Sequence, residues 1–158
     1  MKREFLGDSY DAVKRMWCEV LAPWAPLYAE LQFFPDEQLR RDFTKLTGIQ
    51  MLTDKPKGNY SILNDPDTGI IMPGAQNPKV TSAHVTIDFI ASQLPTKKGC
   101  RCVITFDQSD YRNSGQSREE QRRAKMCRLA DEGLRCFYYV SHAPFLFAAS
   151  DAEAMEEL

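Results

Sequence analysis

The chain has no apolar run approaching the ~18 residues that a membrane-spanning helix needs. Its first residues, Met1-Lys-Arg-Glu-Phe-Leu-Gly-Asp, lack the apolar core of a signal peptide, so a cytoplasmic location is expected. Histidine is nearly absent, with only His84 and His142. The cysteines (Cys18, Cys100, Cys102, Cys127 and Cys136) form no Cys-x-x-Cys pair, which removes the usual spacing of a structural zinc site. Odd in number and mostly in apolar context, they are expected to be reduced core thiols. Positive charge is not in excess: the net charge is −2, so no global field recruits nucleic acid and any such binding needs a local patch. Gly-x-Gly-x-x-Gly, the Walker loop, Gly-x-Ser-x-Gly and His-Glu-x-x-His are all missing, and with them the commonest dinucleotide, NTPase, serine-hydrolase and zinc-protease signatures.

What is present is a single globular domain spanning 1–158. At 158 residues, 43% hydrophobic and 27% charged, the chain can build a core of ordinary size. Phe5-Leu6 is expected as a short strand. Val13, Met16, Trp17, Val20 and Leu21 recur at helical spacing after a cap at Asp8 or Ser9. Leu27 to Phe33 reads as a strand. A helix follows from Pro35 to Leu46 and stops at Gly48, and Ile49 to Leu52 reads as a short strand. Ile62-Leu63 reads as a buried strand, and 73–79 as a loop long enough to form a flap. Thr81 or Ser82 is expected to cap a helix through Leu94. Cys100 to Phe106 is a further strand, and Ser117-Arg-Glu-Glu120 a capping box opening a helix to Glu132. Cys136 to Val140 and Phe145 to Ala149 read as a hairpin before a last helix. Strands alternating with helices, closed by a hairpin, argue a three-layer Rossmann-like α/β sandwich: a mostly parallel sheet with a C-terminal antiparallel hairpin.

In such sheets ligands gather at the carboxyl ends of the strands. Three segments are placed there by the expected strands: Gly7-Asp8 with Lys14 on the following helix, Asn64-Asp65-Pro66-Asp67-Thr68-Gly69, and Asp107-Gln108 with Arg112 beyond. Converging carboxylates repel unless a cation intervenes. Hard oxygen ligands suit Mg²⁺ or Mn²⁺, whose shell is completed by waters and substrate phosphates. The candidate metal ligands are therefore Asp8, Asp65, Asp67 and Asp107. Candidate catalytic residues are Asp65, Asp67, Lys14, Arg112 and His142, the last as a proton carrier in the hairpin turn. Asn64, Gly69 and Gln108 are the candidate substrate contacts. The implied partner is a phosphate-bearing small molecule or nucleic acid, with no membrane. Each segment also has a purely structural reading: Asp8 as a helix cap, Asp65 to Gly69 as a turn, Asp107 as a strand end. Arg118, Arg122 and Lys125 form a helical stripe that reads either as a phosphate-binding surface or as a solvated face. His84 is a secondary candidate, expected to face Gly69.

Two resemblances bear on this. Asn64-Asp65-Pro66-Asp67 is similar to the Asp-Pro-Pro-Tyr motif after the fourth strand of amino-methyltransferases. Here the second proline, the aromatic residue and the glycine-rich cofactor loop are missing. That likeness implies a Rossmann-like methyltransferase, degenerate in its cofactor site. Over more of the chain, Phe5-Leu-Gly-Asp-Ser-Tyr-Asp-Ala-Val-Lys14, Leu63-Asn-Asp-Pro-Asp-Thr-Gly-Ile70 and Phe106-Asp-Gln-Ser-Asp-Tyr-Arg112 resemble a group of uncharacterised bacterial proteins. In that group a later strand ends in Gln-His with an Arg nearby, and this chain has Gln108-Ser109 instead. The group has no established activity, so the likeness implies only that the three segments share one site. The readings left open are a metal-dependent hydrolase of phosphodiester type, a methyltransferase, and a non-catalytic binding or assembly protein.

Overall fold

The computed structural model describes residues 3–54, 56–75, 78–96, 99–109 and 115–156. Arg112 lies outside them, so its expected role stays a reading of the sequence. The helices are α1 (Ser9–Leu21), α2 (Glu37–Thr47), α3 (Ile87–Thr96), α4 (Arg118–Asp131) and α5 (Ala152–Glu156). The strands are β1 (Leu27–Ala29), β2 (Gln50–Met51), β3 (Tyr60–Asn64), β4 (Gly69–Ile70), β5 (His84–Val85), β6 (Cys100–Phe106), β7 (Arg135–Tyr139) and β8 (Phe145–Ala149).

Six strands make the central sheet, in the order β2-β1-β3-β6-β8-β7. All pairs from β2 to β6 are parallel, and β8 runs antiparallel between β6 and β7. Every residue of β3 and β8 is buried, because helices cover both faces of the sheet. Successive residues alternate between those faces. Tyr10 and Trp17 of α1 pack on Phe106 and Phe147, and α2 lies beside α1. On the other face, α3 and α4 lie together over β6 and β7. The arrangement is a three-layer α/β sandwich with a mostly parallel sheet and an antiparallel C-terminal pair.

Local chemistry sets the element ends. Asp8 Oδ1 accepts from Tyr10 N at 2.9 Å and Asp11 N at 3.2 Å, so α1 starts there. Gly48, with φ +79°, closes α2 in the left-handed conformation. The capping box at Ser117 and Glu120 is complete.

Three expected elements differ. Phe5-Leu6 is not a strand: Arg3–Phe5 is a 3-10 turn, and Phe5 is 42% exposed. Two apolar residues between a charged start and Gly7 are too few to hold a sheet edge, and the Asp8 cap claims the chain for α1. The strand at Leu27 ends at Ala29, and Leu31–Phe33 is a second 3-10 turn. The helix expected from Thr81 begins at Ile87. Thr81 Oγ1 instead accepts from Ala83 N and His84 N, closing a turn, and Thr86 Oγ1 accepts from Phe89 N as the real cap. The residues released pair His84-Val85 with Gly69-Ile70 in a small parallel ladder, so His84 does sit opposite Gly69.

Candidate functional site: a notch at the carboxyl edge

The chain after β3 and β6 builds two buried clusters, one on each face of the sheet. On the α1 face, Lys14 Nζ donates to Asp65 Oδ2 at 2.8 Å and Asp11 Oδ1 at 3.0 Å. All three side chains are at most 5% exposed. Asp11 Oδ2 in turn accepts from Gly7 N at 2.7 Å, tying the first turn of α1 to the segment before it. Burial alone would lower Lys14, but Asp65 and Asp11 outweigh it and hold the ammonium above its ordinary value. Burial pushes the Asp65 carboxyl up, against the pull of Lys14. Two carboxylates within 3.0 Å of one ammonium decide for a charged Lys14.

On the α4 face, Asp107 is the hub. It accepts from Lys125 Nζ at 2.7 Å, Tyr138 Oη at 2.7 Å and Ile70 N at 2.9 Å, and also from the Ser109 hydroxyl. Lys125 Nζ also donates to Ser109 Oγ at 2.7 Å. Lys125 and Asp107 are each 1% exposed. Burial lowers Lys125, with Asp107 pulling the other way, and burial beside Asp107 raises the Tyr138 phenol. Gly69 is the contact point with β4. A Cβ there would overlap Asp107 Oδ1 and come within 2.9 Å of its Cα, and the backbone holds φ +135°.

Beside the first of these clusters the edge opens as a small notch of about 60 Å³. Its walls are Phe5, Tyr10, Pro66 and Phe106, with Asp8, Asp67, Lys14, Asp65 and Gln108 as its polar lining. Tyr10 is central: its ring lies 5.4 Å from Phe106 and 5.7 Å from His142, and its hydroxyl accepts from Gln108 Nε2 at 2.5 Å. Three carboxylates face this space with one lysine, among the described residues.

The structure therefore gathers Asp8, Lys14, Asp65, Asp67 and Gln108 at one notch, with His142 exposed beside Tyr10. Asp8 arrives there as the cap of α1 and not as a strand end. Asp107 does not join: its carboxylate is consumed by four side-chain and backbone partners on the other face. Asn64 also points away from the notch. Its side chain exchanges hydrogen bonds with Gln93 of α3 at 2.7 and 3.2 Å, and Gln93 reaches on to Glu30 at 3.1 Å. Gly69 is buried against Asp107. Lys125 is not part of an exposed stripe, whereas Arg118 is exposed and Arg122 sits over the Tyr138 ring at 5.5 Å.

Tyr10, Phe106 and Pro66 escaped the sequence reading as notch residues, because an aromatic residue at helical spacing or at a strand end reads as core. Asp11 and Lys14, three residues apart in the sequence, fall on one side of their helix. Their helix packs that pair inward against Asp65, which local pattern alone does not specify.

Among the described residues, no group of three or more His, Cys, Asp or Glu side chains is placed to hold a metal ion. Two carboxylates, Asp8 and Asp67, remain at the notch outside the Lys14 cluster. Mg²⁺ sites commonly use one or two carboxylates, with waters and substrate phosphate oxygens completing the shell, whereas a full protein cage needs more donors than these two. No helix among the described residues is long and apolar enough to cross a membrane. Comparison with described protein families, curated proteins and solved structures finds no match to this chain.

Proposed function

We propose that the protein is an enzyme that acts on a phosphate-bearing substrate at the carboxyl-edge notch, with Mg²⁺ or Mn²⁺ shared between substrate and protein. The observation that carries this reading is the lining of one half-enclosed space, among the described residues, by three aspartates, Asp8, Asp65 and Asp67, with one lysine, Lys14. Such an excess of negative charge calls for a cation. Asp8 and Asp67 would hold the metal, which when bound supplies charge neutralisation at phosphate oxygens and a more acidic water. Lys14 has three N–H donors, of which Asp11 and Asp65 take two. The third is directed to substrate, and Asp65 keeps the ammonium fixed and charged. Gln108, anchored on Tyr10, positions the substrate at the wall. His142, exposed at the rim, carries a proton to or from the leaving group.

The test is a thermal-shift series with MgCl₂ and MnCl₂ on wild type, Asp8→Asn and Asp67→Asn. Asparagine preserves the α1 cap. The wild type is expected to be stabilised by either metal, and both variants to lose that response. A wild type indifferent to both ions refutes the reading, and a response surviving in both variants removes the metal from the notch.

A methyltransferase is the second reading, favoured by one specific observation. An antiparallel β8 sits between β6 and β7, and Asn64-Asp65-Pro66 lies at the tip of the parallel β3. Against it, β1 is followed by Glu30-Leu31-Gln32-Phe33-Phe34, with both phenylalanines fully buried where a nucleotide cofactor needs glycine. Stabilisation by adenosylmethionine, with none by metal, would reverse the ranking. A protein that responds to neither, and turns over no phosphoester, is a binding protein.

A further inference from the structure

The last strand of the sheet, β7, is an edge that no further strand among the described residues pairs with. Natural edges are usually blunted by lysine, proline, a bulge or a covering loop. Lysine, proline and a bulge are all absent from Cys136-Phe-Tyr-Tyr139, the only charge of β7 is Arg135 at the start, and those four residues are partly buried. Val140, just beyond, is 64% exposed.

The helix above this edge is also apolar on its outer side. Trp17 packs edge-on against Tyr139 at 5.1 Å and Phe147 at 4.9 Å, which fixes the side of α1 that faces β7. At about 100° per residue, the positions next around the helix from Trp17 are Val13, Val20 and Met16. Cys18, on the opposite flank, faces Gly48 at the end of α2. Val20 is 58% and Met16 38% exposed. An apolar strip on α1 therefore overhangs an open, nearly uncharged strand edge.

We propose that this face binds a second copy of the same chain, through a two-fold axis perpendicular to the sheet. β7 pairs antiparallel with its copy about Phe137, and the two α1 strips meet above the join. The surface is complementary to itself in charge. Antiparallel strands centred on Phe137 set Arg135 opposite Tyr139 of the copy, on one face of the sheet, a guanidinium against an aromatic ring. Antiparallel helices centred near Trp17 set Arg15 of one α1 toward Glu19 of the other at the outer border of the join, where within one chain the two pair at 3.0 Å. The net charge of −2 per chain opposes association only weakly. The join is an interface of one patch with itself, as two-fold symmetry requires. It also braces the turn after β7 that carries His142 to the notch.

Light scattering after size exclusion, with sedimentation across roughly 1–100 µM chain, reads the mass directly. Wild type is expected at twice the chain mass of 18.1 kDa at the upper concentrations. Val20→Glu and Val140→Glu, both at exposed positions, are each expected to weaken the dimer at least tenfold, with circular dichroism unchanged. Hydrogen exchange of the 135–139 amides is expected to slow as concentration rises. A wild type that is monomeric throughout overturns the proposal. So does a dimer insensitive to both substitutions, or one whose β7 amides exchange independently of concentration.

Discussion

Replacing Lys125 by methionine separates two views of the same residue. On sequence it stands in a basic stripe with Arg118 and Arg122, where an exposed lysine is worth less than about 0.5 kcal/mol. In the structure it is 1% exposed and holds Asp107 at 2.7 Å. Methionine keeps the aliphatic stem and deletes the charge, leaving a buried carboxylate with neutral donors only: Ile70 N, Tyr138 Oη and Ser109. Removing one partner of a buried pair costs about 3–5 kcal/mol. The surviving donors keep the expected loss near the lower end, about 3 kcal/mol. At 158 residues each kcal/mol moves Tm by about 2–4 °C, so a fall of about 6–12 °C is expected by scanning calorimetry. Adding Asp107→Asn removes the stranded charge, and the double variant is expected to be more stable than Lys125→Met alone. A single variant within about 2 °C of wild type would refute the buried hub.

Other outcomes follow from the same geometry. Gly69→Ala forces a methyl group onto Asp107 at a backbone φ of +135°, so it is expected to lower Tm by at least as much as Lys125→Met. An unchanged Tm would mean that β4 does not lie against Asp107. Lys14 is held above its ordinary 10.5, so its contribution is complete below pH 10.5 and lost as pH rises through its higher native value. Guanidinium unfolding at pH 9 and 11 should therefore show a steeper loss for wild type than for Lys14→Met, and equal losses would deny the pairing. A disulfide reagent should modify the exposed Cys127 first, reach Cys18 and Cys136 slowly, and spare Cys100 and Cys102 until unfolding. Burial also pushes the Cys102 thiol up. Rapid loss of all five thiols in native protein would contradict the core packing.

Most of the sheet was legible because its strands announce themselves locally. Phe145–Ala149 is an uninterrupted apolar run and Cys100–Phe106 an apolar run broken by Arg101 and Thr105, each between turn residues, and both strands have those bounds. Phe5-Leu6 misled because two apolar residues carry no period, and only the Asp8 cap and the lack of a partner strand decide against them. The residues expected at one site divide between two faces for a related reason. Strand alternation is visible, but which face holds a lysine is not. Asp65 and Asp107 end neighbouring strands, yet each is claimed by a lysine from a different helix, Lys14 of α1 and Lys125 of α4. A residue-by-residue reading ranks both as ligands. Of the four candidate ligands, packing leaves Asp8 and Asp67 outside those clusters.

The account turns on those two carboxylates, and Mn²⁺ binding followed by electron paramagnetic resonance tests it most directly. Wild type titrated with Mn²⁺ is expected to quench the free-ion signal at one site per chain, displaceable by Mg²⁺, and Asp67→Asn to weaken it at least tenfold. A free-ion signal unchanged by wild-type protein, or binding equal in wild type and Asp67→Asn, would contradict it.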